Sequence, residues 1–162
     1  MTTQPMAPPP VTPQRVLPQL ANDAWEQLLA AYGTLMRRYA AQDRWDEVSM
    51  REYDVLYTLS KCPAPVRLSE LNRHVLLSQP ALSRLVDRLA ERGLVDRCTD
   101  PADGRGVRLS LTAAGRAVQQ RVGRGHARTV ARAMTAGLTH DELGQLEALC
   151  RKLAAAHDKD PK

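Results

Sequence analysis

The 162-residue sequence predicts a mainly α-helical protein with one small β-hairpin, set between helical regions at the two chain ends. Two observations carry this. Apolar residues recur at three- and four-residue steps through most of the chain, the spacing that gives a helix one buried stripe. One short stretch alternates strictly instead, Val107-Arg108-Leu109-Ser110-Leu111, and it follows a run of turn residues.

Five of the first 14 residues are proline, which precludes a helix, so residues 1–16 are expected to form a disordered tail. Residues 17–48 hold the first helix, expected from about Leu17 to Gln42, with Trp25, Leu28, Leu29, Tyr32, Leu35, Met36 and Tyr39 on one face. A second helix is predicted from about Ser49 to Leu59. Ser49 with Glu52 three residues on forms a capping box, and Tyr53, Leu56 and Tyr57 form its apolar stripe. Cys62-Pro63-Ala64-Pro65 then stops the helix and forces an extended link.

Ser69 is expected to cap a short helix with apolar positions Leu68, Leu71 and Val75, followed by a brief turn at Leu76-Leu77. Ser78 is a good N-cap for the next helix, and Pro80 is tolerated in a first turn, where its missing N–H has no intrahelical partner. That helix runs to about Arg92. Leu82, Leu85, Val86 and Leu89 face the core, while Gln79, Ser83, Arg84, Asp87, Arg88 and Glu91 occupy the other face. Gly93 supplies the left-handed residue that ends it. A strand over residues 94–99, turn chemistry over 100–106 and a strand over 107–111 make the hairpin, with Gly104 and Gly106 available for positive φ.

Thr112 caps a long helix reaching about Ala136, in which Gly115, Gly123 and Gly125 lower the intrinsic stability. Thr139 and Glu142 form a capping box for the last helix, with Leu143, Leu146, Leu149, Cys150 and Leu153 as its stripe. Residues 158–162 are polar and expected to fray.

Composition narrows the function. The chain carries 23 Lys and Arg against 18 Asp and Glu, and arginine dominates. Arginine suits phosphate contacts and bidentate reading of guanine. Three separated cysteines, Cys62, Cys98 and Cys150, form no CxxC and no metal spacing, so no metal or cofactor is expected. The sequence contains no signal-peptide pattern and no apolar run of bilayer length, which points to the cytoplasm and away from the membrane. No GxGxxG, P-loop, HExxH or GxSxG pattern is present, and the four histidines are scattered, so no catalytic residue is assigned.

Two helices joined by a tight turn and followed by a hairpin form a winged helix-turn-helix. Its second helix fits the major groove, with N-terminal residues at the base edges. Gln79 can pair with adenine, Arg84 or Arg88 with guanine, and Ser78, Ser83 and the helix N-terminus with phosphate. The candidate DNA-binding set is Ser69, Arg73, Ser78, Gln79, Pro80, Ser83, Arg84, Arg88, Asp103, Arg105 and Arg108. From Lys61 to Ser110 nine basic residues stand against six acidic ones, a modest excess that would not by itself select nucleic acid.

The segments Leu68-Ser69-Glu70-Leu71, Ser78-Gln79-Pro80-Ala81-Leu82-Ser83-Arg84-Leu85-Val86-Asp87-Arg88-Leu89 and Arg92-Gly93-Leu94-Val95 resemble the MarR family of bacterial regulators. So does Asp100-Pro101-Ala102-Asp103 to Arg105, followed by Leu111-Thr112 and Gly115. The family's wing commonly reads Asp-Pro-x-Asp-Arg-Arg; Gly104 replaces the first arginine and Arg105 matches the second. The resemblance covers about residues 20 to 155. It implies that Arg105 enters the minor groove, that Asp103 helps hold the wing, and that binding represses transcription.

The resemblance also implies a homodimer on double-stranded DNA. Residues 17–48 and 112–157 would form the interface, and residues 49–111 the DNA-binding unit. The broad apolar stripes at both chain ends agree, since a small DNA-binding unit could not cover them alone. Family members often bind small aromatic or anionic effectors between the two regions, and Trp25, Tyr32, Tyr53, Asp54, Tyr57 and Arg84 are the candidates here. The plain alternative is core packing for the aromatics. Arg121, Arg124, Arg128 and Arg132 form a basic stripe on the long helix, read as a solvated face. Two other functions compete: a winged-helix protein-interaction module, and a redox-sensing regulator using Cys62 or Cys98, which lie beside Lys61 and Arg97.

Overall fold

A computed structural model describes residues 18–41, 45, 47–100 and 103–157, with residues 103–105 described by backbone alone. The expected tails, residues 1–16 and 158–162, lie outside the described residues. The chain divides into two units, Met1–Arg37 and Arg38–Lys162.

The first unit consists of most of helix α1 (Pro18–Ala40). The predicted stripe is there, but within one chain it is open: Trp25 is 56% exposed and Tyr32 45%, with Leu20, Leu28 and Leu29 exposed as well.

The second unit contains α2 (Met50–Lys61), β1 (Val66–Arg67), α3 (Leu68–Asn72), α4 (Gln79–Glu91), β2 (Val95–Asp100), β3 (Asp103–Leu111), α5 (Ala113–Thr135) and α6 (His140–His157). The strands form one antiparallel sheet in the order β1-β3-β2. The core is built from Val55, Leu56 and Leu59 of α2, Leu71 of α3, the four apolar residues of α4, then Leu94, Val95, Leu109 and Val118. Truncating any of the fully buried leucines among these would cost about 2–5 kcal/mol. All four residues of the predicted α4 stripe, Leu82, Leu85, Val86 and Leu89, are buried.

The caps follow the sequence where the signal is local. The Ser49 amide donates to Glu52 Oε2 at 2.7 Å, and the Glu52 amide returns to Ser49 Oγ at 3.3 Å. The Gly115 amide donates to Thr112 Oγ1 at 2.9 Å, and Thr139 and Glu142 form the expected reciprocal pair. Gly93 has φ of 66°, and two bonds close the helix end behind it: the Gly93 amide to Ala90 O and the Leu94 amide to Leu89 O, both 2.9 Å. This is the Schellman arrangement that a glycine at this position permits.

Four expectations are corrected. Ser69 does not cap α3; it lies inside that helix, and Arg67 is the N-cap. The cause is β1, which the sequence did not reveal: Val66 and Arg67 pair with Leu109 and Arg108, so the extended chain turns into helix straight after Arg67. Glu70 then accepts the Arg67 amide at 2.9 Å. Ser78 is the N-cap of α4 in backbone geometry (φ −67°, ψ 150°), but its hydroxyl makes no capping bond. Tyr57 is 41% exposed and leaves the core of α2 to Tyr53, Val55, Leu56 and Leu59. In the hairpin, Gly104 and Gly106 belong to β3, which starts at Asp103, and among the described residues the one positive-φ glycine is Gly93. No described helix is long and apolar enough to cross a membrane.

Candidate nucleic-acid interface

Burial of its apolar stripe fixes which side of α4 faces outward. Gln79, Pro80, Arg84, Arg88 and Glu91 are exposed, as is Ser78 before the helix. The first turn holds no acidic residue, so no side chain of that turn offsets the positive end of the helix dipole. Ser69 and Arg73 on and after α3 are exposed too.

The two flanks of α4 differ. On one, Arg84 and Arg88 line an open groove of about 370 Å³ together with Ser49 and Arg51 at the start of α2. On the other, Ser83 and Asp87 are half-buried and line a crevice of about 140 Å³ against Val107, Leu109 and Arg97 of the sheet. Asp87 is ion-paired with Arg97, which ties the recognition helix to β2 and cancels the one carboxylate in its middle.

The arginines of the second unit differ in their partners. Arg67, Arg92, Arg97, Arg108 and Arg121 each hold a carboxylate: Arg67 and Arg108 take Asp100, Arg92 takes Glu52, Arg97 takes Asp87 and Arg121 takes Glu47. Hydrogen bonding from Arg121 lowers the pKa of Glu47. Arg73, Arg84 and Arg88 are exposed and have no ion-pair partner among the described residues.

Arg108, one of the candidate DNA contacts, instead sits at the base of the wing. Its Nε lies 2.9 Å from Asp100 Oδ1 and its Nη1 donates to Pro65 O at 3.1 Å. Asp103 and Arg105 occupy β3, and their side chains lie outside the described residues.

Of the candidate effector residues, Tyr53, Asp54, Tyr57 and Arg84 belong to the second unit. Trp25 and Tyr32 belong to the first unit. Tyr53 is 5% exposed and stacks on Tyr57 with ring centroids 5.8 Å apart, and Lys61 Nζ lies 4.0 Å over the Tyr57 ring. Asp54 is half-buried, and burial holds its carboxyl above the usual carboxylate range. Arg84 lines the α4 groove, whose walls include none of Tyr53, Asp54 or Tyr57.

Three residues with clear structural work escaped the sequence reading. Asp100 appeared to be turn chemistry, yet it is buried. Trp45 donates its indole N–H to Tyr39 O at 2.8 Å and packs on His126. His126 is surrounded by aromatic rings, although the sequence offers it only as an isolated histidine in a glycine-rich helix. Of the cysteines, Cys98 and Cys150 are exposed and Cys62 is half-buried. No group of described His, Cys, Asp and Glu residues has the arrangement of a metal site.

Residues 47–106, from just before α2 into β3, match the family model described as MarR family. The multiple antibiotic resistance protein MarR of Escherichia coli (strain K12) is 31% identical over 107 residues, covering 66% of this chain and 74% of that protein. The chain belongs to the MarR family. It is therefore a winged-helix DNA-binding transcriptional regulator. Among solved structures, Sco3205, a MarR family transcriptional regulator from Streptomyces coelicolor in complex with DNA, is 28% identical with a TM-score of 0.72 over 88% of this chain and 90% of that one. The PcaV transcriptional regulator of the same organism, in complex with its natural ligand, is 27% identical with a TM-score of 0.59 over 93% and 99%.

Proposed function

We propose that this MarR-family chain is a repressor that binds a pseudo-palindromic operator as a homodimer. Helix α4 reads each half-site in the major groove and the β2–β3 wing enters the neighbouring minor groove. The observation that carries this reading is the separation of the arginines. Those around α4 that hold the fold together are paired, while Arg84 and Arg88 stand unpaired on its outward face. Arginine is the commonest reader of guanine O6 and N7, and Gln79 at the helix start is placed for adenine. Ser78, Ser83, Ser69 and Arg73 fit phosphate contacts, which set register without reading sequence. Arg105 is assigned to the minor groove, where a narrow A·T-rich segment has enhanced negative potential.

MarR-family members are dimeric. We assign the interface to residues 17–48 and 112–157, because α1 leaves Leu20, Trp25, Leu28, Leu29 and Tyr32 open and α6 leaves Leu149 and Leu153 open. Two-fold symmetry then places the half-sites about 10 base pairs apart. A small aromatic or anionic effector is a further part of the reading, supported by the natural ligand bound to PcaV. It would act by binding the DNA-incompetent arrangement better than the competent one. The chain works in the cytoplasm and catalyses no reaction. The protein-interaction alternative is disfavoured by a family relative held on DNA.

The test is selection of bound genomic fragments by the purified protein, with Arg84→Ala and Arg105→Ala chains in parallel. A pseudo-palindrome enriched by the parent and weakened in both variants supports the reading. No enrichment at low salt from a folded dimer overturns it.

A further inference from the structure

We propose that Asp100 is a positioning residue for DNA binding: its buried carboxylate clamps the wing to the helix-turn-helix through Arg67 and Arg108. This rests on the reading above, in which the wing meets the minor groove.

Asp100 is 1% exposed, and its side chain is wholly buried. A carboxylate in that position needs cationic hydrogen-bond partners, because its desolvation otherwise costs several kcal/mol. It has two. Oδ2 accepts from Arg67 Nε at 2.7 Å, and Oδ1 lies 2.9 Å from Arg108 Nε. The strand order gives the pair its meaning. Asp100 ends β2 and Arg67 lies in β1, on opposite edges of the sheet, so this one contact spans all three strands. Arg67 is also the N-cap of α3, so the carboxylate is anchored directly at the first helix of the helix-turn-helix.

The backbone alone would hold the wing less well. The β2–β3 register shifts between Thr99 and Asp100, so the regular ladder fails where the wing begins. Beyond the shift the backbone pairs Asp100 with Asp103, and the side chain of Asp100 adds a second link. Arg108 strengthens it by donating to Pro65 O, in the segment that leads into β1. The clamp thus sets where residues 103–105 stand relative to α4, without Asp100 itself reaching DNA.

Two measurements test this on the full-length dimer. Hydrogen exchange of the free protein is compared for the parent, Asp100→Asn and Arg67→Gln; the second variant keeps the Asp100–Arg108 contact and serves if the first folds poorly. Faster exchange confined to the wing strands, with α2 and α4 still protected, is expected. Unchanged exchange in the wing overturns the clamp. Operator affinity is then measured for each variant with and without Arg105→Ala. Each clamp variant is expected to lose on the order of tenfold, the range of one lost specific contact. In the displaced wing Arg105→Ala should then cost little more. Full additivity of the two losses overturns the positioning role and leaves Asp100 a general stabiliser. An Arg105→Ala chain that binds like the parent instead overturns the minor-groove reading, and with it the positioning role on DNA.

Discussion

A side chain at position 115 would collide with the backbone of Leu94: a Cβ added to Gly115 falls 1.9 Å from the Leu94 carbonyl oxygen. Around it, Thr112 Oγ1 donates to Gly93 O at 2.7 Å and accepts from the Gly115 amide at 2.9 Å. The start of α5 is therefore docked onto the turn that follows the recognition helix. Gly115→Ala must push these backbones apart, since no flexible side chain can move away. A loss of about 3 kcal/mol is expected, at the upper end for overpacking. That would lower the melting temperature by roughly 10 °C in a chain of this size. Urea unfolding measures it, and a change within about 0.5 kcal/mol, the ordinary scatter of surface substitutions, would remove the close approach.

Gly123 is the control. There an added Cβ meets no backbone but the end of the Tyr53 side chain, its Oη at 3.0 Å, which would have to give by only a few tenths of an ångström. Alanine is also about 1 kcal/mol better than glycine inside a helix. Gly123→Ala is expected to stay within about 1 kcal/mol of the parent by the same urea titration.

His126 lies 5.3 Å from the Tyr39 and Tyr53 rings and 5.5 Å from Trp45, centroid to centroid. Its Nδ1 is buried and has no hydrogen-bond partner among the described residues. Burial lowers its pKa below the ordinary 6.5, because the charged form has lost its water. The unfolded chain then binds this proton more readily than the folded one. The contribution to stability is complete above pH 6.5 and is lost as the pH falls from there through the depressed folded value. The parent should therefore lose more melting temperature between pH 7.5 and pH 5 than His126→Phe, at fixed protein concentration. Parallel pH profiles would dismiss the histidine as the source.

Ser49→Ala removes the hydroxyl that caps α2 and also loosens Glu52, which accepts the Ser49 amide and pairs with Arg92 at 3.2 Å. A cap of this type contributes about 1 kcal/mol. Ser49→Ala is expected to cost about that much in urea unfolding, and Ser49→Asp to retain most of it.

What could be read in advance was local. The capping boxes at Ser49 and Thr139, the Thr112 cap, the Gly93 helix end and the buried stripe of α4 each depend on residues within a turn or two. What could not be read was set by distant partners. β1 is two residues long and exists because β3 passes beside it. Asp100 looks like any acidic turn residue until Arg67 arrives from 33 positions earlier. Tyr57 fits the helical stripe of α2 and stacks on Tyr53, yet within one chain nothing described covers its outer side. The arginines showed the same limit at the candidate interface. Composition could count them, but only the fold separates those that bind carboxylates from those left unpaired among the described residues.

That separation gives the sharpest functional prediction. Arg88 is exposed on α4 without an ion-pair partner among the described residues, whereas Arg92, four residues on, holds Glu52 and the Glu47 carbonyl. Arg88→Ala should leave urea unfolding within about 0.5 kcal/mol, as surface substitutions do. It should weaken the operator by about 1–3 kcal/mol and relax preference at one base pair of each half-site. Arg92→Ala should do the reverse, lowering stability while the folded fraction keeps its base preference. Arg73→Ala, at the end of α3, is expected to weaken all sequences alike and to reduce the salt slope by about one per subunit, the signature of a lost phosphate contact. Titrations of operator and scrambled DNA at several salt concentrations distinguish the three. If Arg88→Ala lowered both affinities equally, Arg88 would be a backbone contact and base reading on α4 would fall to Gln79 and Arg84.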